Sequence, residues 1–340
     1  MSSLRMTALT RWAAQQHGLD MDEINLQEAG GDASFRHYYR LSLPDGSTRV
    51  IMDAPPEQED STPFVNIAQQ WQAGGLPVPH IFASNLDDGF LLLEDLGDTP
   101  LQLCFKDPAS VQHHTDSALA LIGELQNRAS PEPLPRYDAD LLGRELDLFP
   151  TWCLEQWLAM PIPIEWPALR NALIEKALAQ PIVSVHRDFD AMNLMVHREK
   201  LYMIDFQDAV AGPLSYDVIS LLRGRYWRFN AEGFADAVQR FYLRARQDGR
   251  LTSSTDEATF LDQCQAMAAQ RSLKVLGIFC RLTLRDNKSG YLSRLPHFLD
   301  HLEDSLAALP EHADFARWVS EQLRPAILQR CADLTPTEPP

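Results

Sequence analysis

The sequence is short of basic residues. It contains 30 lysines and arginines against 47 aspartates and glutamates, which gives a formal net charge of −17 at pH 7. A protein that binds nucleic acid or an anionic membrane surface needs an excess of basic residues to neutralise phosphates. We therefore expect neither as a main partner, while a local basic patch could still hold a phosphate-bearing small molecule.

Cysteines are few and irregularly spaced. The five are Cys104, Cys153, Cys264, Cys280 and Cys331. None of their spacings matches a metal site, and an odd, dispersed set is typical of reduced thiols in a cytosolic protein.

Long apolar runs are also missing. Arg5 and Arg11 interrupt the first twelve residues, which contain no apolar core of a signal peptide. No segment approaches the roughly 18 consecutive apolar residues of a membrane-spanning helix. With 340 residues, 45% of them hydrophobic, the chain is long enough for substantial cores. We expect a folded, cytoplasmic protein.

Two regions of different character follow one another along the chain. Strand-like segments dominate first, at 35–43, 49–52, 78–83 and 90–94, with one internal helix at about 63–72. Helical patterns dominate later, at about 109–128, 139–158, 166–179, 213–223, 229–246, 255–281 and 312–330. The sequence therefore predicts an α+β protein with a small β-rich lobe over residues 1–96 and a larger, mainly helical lobe over residues 97–340.

The most informative segment places three polar residues at fixed spacing between apolar strands. Asp188 precedes Asn193 by five residues, and Asp205 follows Asn193 by twelve. This is the kinase pattern H-R-D-x-x-x-x-N followed by D-F-x, with Gln207 where glycine is usual. In such an array one carboxylate accepts a hydroxyl proton, while an amide and another carboxylate hold magnesium. We predict Asp188 as the general base and Asn193 and Asp205 as magnesium ligands.

Neighbouring polar residues receive supporting roles. His186 is predicted to orient the loop through a structural hydrogen bond rather than to react. Asp217 opens an apolar helical run and is predicted to brace the loop or the start of the helix. Asp190 and Asp208 stay unassigned, because contact with metal or substrate and a solvated position are equally compatible with the pattern.

Together these motifs resemble those of one protein family. The combination of His186–Asn193, Ile204–Ala209 and Gly212–Val218 resembles the aminoglycoside phosphotransferase/choline kinase family, which has a protein-kinase-like fold. The resemblance implies a kinase that uses ATP and Mg²⁺, with a nucleotide-binding first lobe and a second lobe that carries the catalytic loop and acceptor site. Within it, residues 30–34 are similar to the phosphate loop and 91–97 to the hinge. The implied nucleotide-binding residues are Gly30, Gly31, Ser34, Arg36, Glu94 and Leu96.

A narrower resemblance concerns the acceptor. Residues 30–40, 52–56 and 281–296 are similar to the bacterial anomeric kinases of cell-wall (peptidoglycan) recycling, which phosphorylate C1 of N-acetylmuramate and N-acetylglucosamine. The lactyl carboxylate of N-acetylmuramate would suit a fork-like arginine. The candidate acceptor residues are Arg223, Arg281, Arg285 and Asp286, with Arg225 as a further candidate.

One departure from the family is evident. Kinases of this fold usually have a lysine on the third strand and a glutamate on the following helix, but here Arg49–Asp53 contains no lysine and the helix at 63–72 no carboxylate. The lysine and the glutamate are missing together. This is physically reasonable, because either one alone would be a buried charge without a partner. Another cation must then neutralise the phosphates, and the candidates are Arg36, His37, Arg40 and Arg49.

Two alternatives stay open. The same fold also serves aminoglycoside and choline-like amino-alcohol phosphotransferases, and a nucleotide-binding scaffold without catalysis is the non-enzymatic alternative. The expected partners are a nucleotide and a small amino sugar, without an obligate protein partner.

Overall fold

The computed structural model describes residues 3–31 and 35–334. The chain forms two compact units. The first unit comprises the residues up to Leu101 together with Met192–Asp208, and the second comprises Gln102–Ala191 together with the residues from Ala209 onward. These units differ from the lobes drawn on the sequence chiefly at Met192–Asp208, because the backbone of this segment bonds to the first unit: Met203 donates to Pro77 and Val196 to Thr99.

A five-stranded antiparallel sheet forms the centre of the first unit. Its strands are β1 (Asn25–Gly31), β2 (His37–Ser42), β3 (Thr48–Asp53), β4 (Ile81–Asn85) and β5 (Phe90–Glu94), in the order β1-β2-β3-β5-β4. Side chains alternate between the faces of a strand. Cross-strand pairing therefore puts Tyr39, Ile51 and Leu92 on one face and Arg40, Val50 and Leu93 on the other.

Two helices complete this unit. Helix α1 (Ser3–His17) buries Leu9 and Trp12 in a cluster with Ile51 and Leu92, so it covers the first of the two faces. Helix α2 (Thr62–Ala73) occupies the segment predicted at 63–72. Its Phe64 and Trp71 pack on Phe206, with ring centroids 4.7 and 5.4 Å apart. These ring contacts anchor the residue that directly follows Asp205.

Four more strands lie in the described residues. In the second unit, β6 (Ile182–Val185) pairs with β9 (Val210–Pro213), and in the first, β7 (Leu194–His197) pairs with β8 (Lys200–Met203). Arg198 and Glu199 join β7 to β8 with φ of 48° and 64°, as a two-residue hairpin turn requires. The hairpin folds the chain back so that the residues just before β7 and just after β8 are neighbours.

Helices make up most of the second unit. They are α3 (Pro108–Arg128), α4 (Ala139–Leu146), α5 (Trp166–Leu178), α6 (Tyr216–Leu222), α7 (Ala231–Gln247), α8 (Glu257–Leu284), α9 (Leu295–Leu306), α10 (Ala313–Trp318) and α11 (Arg324–Leu334), with π-helical segments at Phe149–Leu158 and Val319–Leu323. Helix α8 is the central element and is buried along most of its length. The predicted α+β class is confirmed.

Some predicted helices are divided. The segment at 139–158 is α4 followed by a π-helical segment, because Pro150 has no backbone N–H to continue an α-helical ladder. The segment at 213–223 begins as β9 and becomes helical only at Tyr216, and α9 was not predicted. Within the described ranges, no helix has both the length and the apolar character needed to cross a membrane.

Candidate active site

The loop after β6 is fixed by a buried carboxylate on α6. Asp217 accepts the backbone N–H of His186 at 2.7 Å and that of Arg187 at 3.0 Å. Arg187 has a φ of 77°, an unusual conformation for a residue with a side chain. The two bonds therefore hold the backbone of the predicted catalytic loop in a strained shape directly before Asp188.

Asp217 is completely buried, and this burial changes its acidity. Burial raises the pKa of Asp217 to about 7, although the two backbone hydrogen bonds oppose the rise. His186 is also buried, and its ring meets Phe189 edge-on at 5.7 Å. Asp217 thus stabilises the loop directly before Asp188 through its backbone bonds, and His186 does so through its buried ring.

A network of paired charges extends from this loop to α4 and α8. Glu145 on α4 accepts bonds from Arg187 at 2.7 Å and from Lys274 at 2.8 Å, and also from the hydroxyl of Tyr137. Burial alone would raise the pKa of Glu145, but Lys274 and Arg187 lower it to about 2. The carboxylate is therefore ionised at neutral pH and links three elements of the second unit.

Asp190 is also paired within the second unit. Its side chain is buried, and its Oδ2 lies 3.5 Å from Nε of Arg225. Its backbone N–H donates to the carbonyl of Asp188 at 2.8 Å. This buried position differs from the solvated loop carboxylate that was one of its two predicted environments.

In the first unit, the β7–β8 hairpin brings Asn193 and Asp205 together. Ile204 donates its N–H to the carbonyl of Asn193 at 3.0 Å, so the two ends of the hairpin are paired. Asp205 has a φ of 63° and accepts a bond from the side chain of Gln207 at 2.8 Å. Two oxygen-bearing side chains thus flank one end of the hairpin.

The donor set suits magnesium that also has phosphate ligands. Mg²⁺ prefers hard oxygen ligands and usually takes one or two carboxylates, waters and substrate phosphates. Asn193 and Asp205 supply an amide oxygen and a carboxylate, and both line the same cavity. Within the described residues, no group of three or more His, Cys, Asp and Glu side chains is arranged for a metal. Asn193 and Asp205 would supply two ligands of a magnesium ion, and waters or phosphate oxygens would complete its shell.

That cavity lies against the sheet face opposite α1 and has a volume of about 440 Å³. Its apolar lining includes Val50, Leu93, Met195 and Ile204, and its polar lining includes Tyr38, Arg40, Asn193 and Asp205. The predicted hinge residues Glu94 and Leu96 line it too. We call it the hinge cavity. Its size is in the range of small-molecule sites, and a flat apolar ring could pack between the sheet and the hairpin.

Arg36, one of the predicted phosphate-neutralising cations, lies at Asp205. Its side chain is only 3% exposed, its Nη2 pairs with Glu59, and its Nη1 is 3.8 Å from Oδ1 of Asp205. Glu59 precedes α2 and was not singled out in the sequence. An arginine–glutamate pair therefore exists in the first unit, between positions other than those of the usual lysine and glutamate.

The other three candidate cations have different surroundings. Arg40 lines the hinge cavity and pairs with Asp95 at 2.7 Å and Asp98 at 2.8 Å. Arg49 lies over the ring of Phe82 at 4.3 Å, and His37 is exposed. Among the four, Arg36 thus combines burial with proximity to a predicted metal ligand.

The predicted phosphate loop is only partly described. Gly30 and Gly31 end β1, where the pairing with β2 is irregular, and Ala29 just before them lines the hinge cavity. Ser34 lies outside the described residues.

The predicted acceptor residues are dispersed over the second unit. Arg223 is buried, pairs with Asp304 at 3.1 Å and lies over Phe234, so its charge is satisfied internally. Arg285 and Asp286 pair with each other at 2.7 Å. Arg281 lines a cavity beside Glu145. The sequence did not indicate Glu145 or Lys274, because an ion pair between two separate helices has no short-range motif.

Known proteins share this architecture. The solved ethanolamine kinase of Plasmodium vivax matches with a TM-score of 0.60 at 11% identity, over 82% of each chain. The amicoumacin kinase hAmiN, in complex with AMP-PNP, Ca²⁺ and Ami, matches with a TM-score of 0.56 at 15% identity, over 89% of this chain and 96% of that one. These likenesses confirm the predicted protein-kinase-like fold.

Sequence similarity is more specific. An N-acetylmuramate/N-acetylglucosamine kinase from Pseudomonas aeruginosa is 39% identical over 300 residues, which cover 87% of this chain and 88% of that protein. The model of the phosphotransferase enzyme family (APH) matches residues 25–252. Because this match spans well over half of the 340 residues, the chain belongs to the APH phosphotransferase enzyme family.

Proposed function

We propose that this protein is an ATP-dependent kinase that phosphorylates the anomeric hydroxyl of N-acetylmuramate and N-acetylglucosamine. The observation that carries the kinase chemistry is that Asn193, Asp205 and the hinge residues Glu94 and Leu96 line one cavity. The choice of acceptor is supported by the named relative, which is 39% identical over most of both chains.

The nucleotide belongs in the hinge cavity. Val50 and Leu93 on the sheet and Met195 and Ile204 on the hairpin offer apolar surface to the base. The segment at Glu94–Leu96 offers backbone donors and acceptors to its edge, and the phosphates lie on the side of Asp205. Arg36, beside that carboxylate, supplies the positive charge that the strand lysine provides in other kinases of this fold.

Asn193 and Asp205 would hold a magnesium ion, which would supply positive charge to the phosphates during phosphoryl transfer. Arg36 and Asp205 have opposite charges and lie close together. Each therefore partly neutralises the other in the protein without nucleotide.

Asp188 receives the proton of the acceptor hydroxyl. The anomeric oxygen forms a bond to the γ-phosphorus, the bond from that phosphorus to the oxygen of ADP breaks, and the proton passes to Asp188 and then to solvent. Phosphoryl transfer depends more on positioning and charge neutralisation than on a strong base. The bonds from Asp217 to the loop before Asp188 supply such positioning.

An acceptor panel tests this function. ATP consumption is measured with N-acetylmuramate, N-acetylglucosamine, a kanamycin-like amine and choline, and the product is identified by phosphorus NMR as a sugar 1-phosphate. Turnover of the amines without the sugars would replace the proposal by an aminoglycoside or choline-like kinase. ATP binding without turnover of any acceptor would favour a nucleotide-binding scaffold. Asp188→Asn serves as the inactive control.

A further inference from the structure

A second cavity lies in the second unit, where α4, the first π-helical segment and α8 meet. Its volume is about 450 Å³, and it is lined by Arg144, Glu145, Asp147, Leu148, Thr151, Trp152 and Arg281. We call it the α8 cavity. It is large enough for a small molecule, and Trp152 offers an apolar ring to one side of it.

The two arginines and two carboxylates that line the α8 cavity balance formally, but both carboxylates are already paired with cations outside the lining. Glu145 is paired with Arg187 and Lys274, and Asp147 accepts hydrogen bonds from Nε and Nη2 of Arg170 at 2.7 and 2.8 Å. In contrast, no described carboxylate lies within salt-bridge distance of Arg144 or Arg281. The acids of the cavity are thus compensated by close ion pairs, whereas Asp286 acts on Arg281 only from beyond salt-bridge distance, so the lining keeps positive charge in a chain of net charge −17.

Arg281 is the more constrained of the two arginines. Its Nε is buried, and no described residue accepts a hydrogen bond from it. Burial accordingly lowers the pKa of Arg281. A half-buried arginine that makes no hydrogen bond lowers the stability of the protein. An anionic ligand that accepts hydrogen bonds from its guanidinium removes this cost.

The α8 cavity is connected to the catalytic loop through a single residue. Glu145 forms part of the cavity wall and bonds to the side chain of Arg187, which precedes Asp188. Lys274, also bonded to Glu145, is seven residues before Arg281 and hence on the same face of α8. The cavity is therefore on the part of the second unit that carries the proposed base.

We propose that Arg281, assisted by Arg144, binds the carboxylate of the acceptor and selects N-acetylmuramate over N-acetylglucosamine. This inference rests on the proposed function and identifies residues that determine its substrate preference. The two sugars differ in the lactyl ether that carries the carboxylate, so only one of them can use these arginines. We assigned the nucleotide phosphates to residues of the first unit. They therefore do not compete with the acceptor carboxylate for the arginines of this cavity.

The test compares the two sugars in the full-length protein. Arg281→Met should raise KM for N-acetylmuramate by about tenfold to a hundredfold, the loss expected for hydrogen bonds to a charged group. It should leave kcat and KM for N-acetylglucosamine within about twofold of the wild type. Arg281→Lys should restore part of the affinity, since lysine keeps the charge without the fork. Arg317→Met, which removes an exposed arginine paired with Asp314, is the charge-matched control.

The outcomes separate the two proposals. Equal losses for both sugars in Arg281→Met would overturn the inference, and so would an unchanged KM for N-acetylmuramate. Either result leaves the kinase function standing as long as the wild type phosphorylates the sugars. A wild type inactive on both sugars would instead overturn the proposed function. Turnover of N-acetylglucosamine by the variant also shows that it is folded.

Discussion

The guanidinium of Arg36 pairs with the carboxylate of Glu59 and lies 3.8 Å from Asp205. Kinases of this fold usually pair a strand lysine with a helix glutamate, and here neither β3 nor α2 supplies those residues. The pair instead joins the residue directly before β2 to the segment before α2. A paired arginine can remain buried beside the proposed metal site because Glu59 compensates its charge.

Replacing Arg36 should affect the nucleotide more than the acceptor. We expect Arg36→Met to raise KM for ATP by about tenfold or more, because one charge-assisted contact to phosphate is lost. KM for either sugar should change little. Steady-state kinetics with each substrate varied in turn measures the difference, and an unchanged KM for ATP would remove Arg36 from the nucleotide site.

Replacing Glu59 should affect stability through Arg36. Glu59→Gln removes the nearer of the two carboxylates at the buried guanidinium of Arg36, which we expect to cost about 1–3 kcal/mol, less than a fully buried pair because Glu59 is 21% exposed. The double variant Arg36→Met/Glu59→Gln should lose less than the sum of the single variants. Urea unfolding of all four proteins completes the cycle, and strict additivity would show that the two residues do not interact.

Asp188→Asn should impair chemistry without affecting folding. We expect kcat to fall by at least about a hundredfold, because the amide cannot take the acceptor proton. KM for ATP should stay close to that of the wild type, since the nucleotide is assigned to the first unit. Circular dichroism and thermal unfolding provide the check on folding. Near-normal turnover in a folded variant would exclude Asp188 from the active site.

Asp205→Ala should change the response to magnesium. We expect a higher Mg²⁺ concentration for half-maximal activity and weaker binding of the Mg–ATP complex, measured by calorimetry with and without the metal. Asp87→Ala, which removes an exposed aspartate of the same unit, should leave the titration unchanged. An identical magnesium dependence in Asp205→Ala would contradict the proposed ligand role.

The raised pKa of Asp217 predicts a defined pH dependence of stability. Burial raises its pKa to about 7 in the folded protein, whereas an unfolded aspartate titrates near 3.9. The folded state therefore holds this proton over a range in which the unfolded state has lost it. Its contribution to the free energy of unfolding is full below about pH 4 and is lost as pH rises to about 7.

Comparison with a variant that cannot titrate isolates this contribution. Between about pH 5.8 and about pH 7, the wild type should lose more unfolding free energy than Asp217→Asn does, as measured by urea titration. A parallel decline in both proteins would show that Asp217 does not titrate in this range.

Helix α8 packs closely at Gly277 against the backbone of Leu148, a residue that lines the α8 cavity. A Cβ on Gly277 would lie 2.6 Å from the backbone nitrogen of Phe149, so α8 touches the backbone at the start of the π-helical segment. We expect Gly277→Ala to destabilise the protein by about 1–3 kcal/mol. Gly123→Ala is the matched control, because the added methyl meets only the flexible end of Arg250 at 3.3 Å. Equal stability of the two variants would contradict the tight contact.

Local patterns explain how much of the site could be predicted. Asp188, Asn193 and Asp205 lie within 18 residues of one another, and the strands that flank them have strong short-range signals. The hairpin between Asn193 and Asp205 follows from four-residue strands and a two-residue turn. The predicted hinge residue Glu94 ends the buried strand β5, and Leu96 lies two residues further on.

The pairing of distant charges could not be predicted in this manner. Glu59 is 23 residues from Arg36, and Arg144 is 137 residues from Arg281. An isolated charged residue on a helix has the same sequence signature whether it faces solvent or a cavity. Only the packing of α4 and α8 shows that Glu145 is compensated while Arg281 is not.

The sequence by itself determined the chemistry of the proposed reaction, because the proposed base Asp188 and the proposed ligands Asn193 and Asp205 lie at fixed spacing in one short segment. It also determined the fold class through the change from strand-like to helical patterns. The tertiary structure alone decided which cation lies beside Asp205 and which cavity is positive. Those properties depend on which charges burial brings together and which it leaves without a partner.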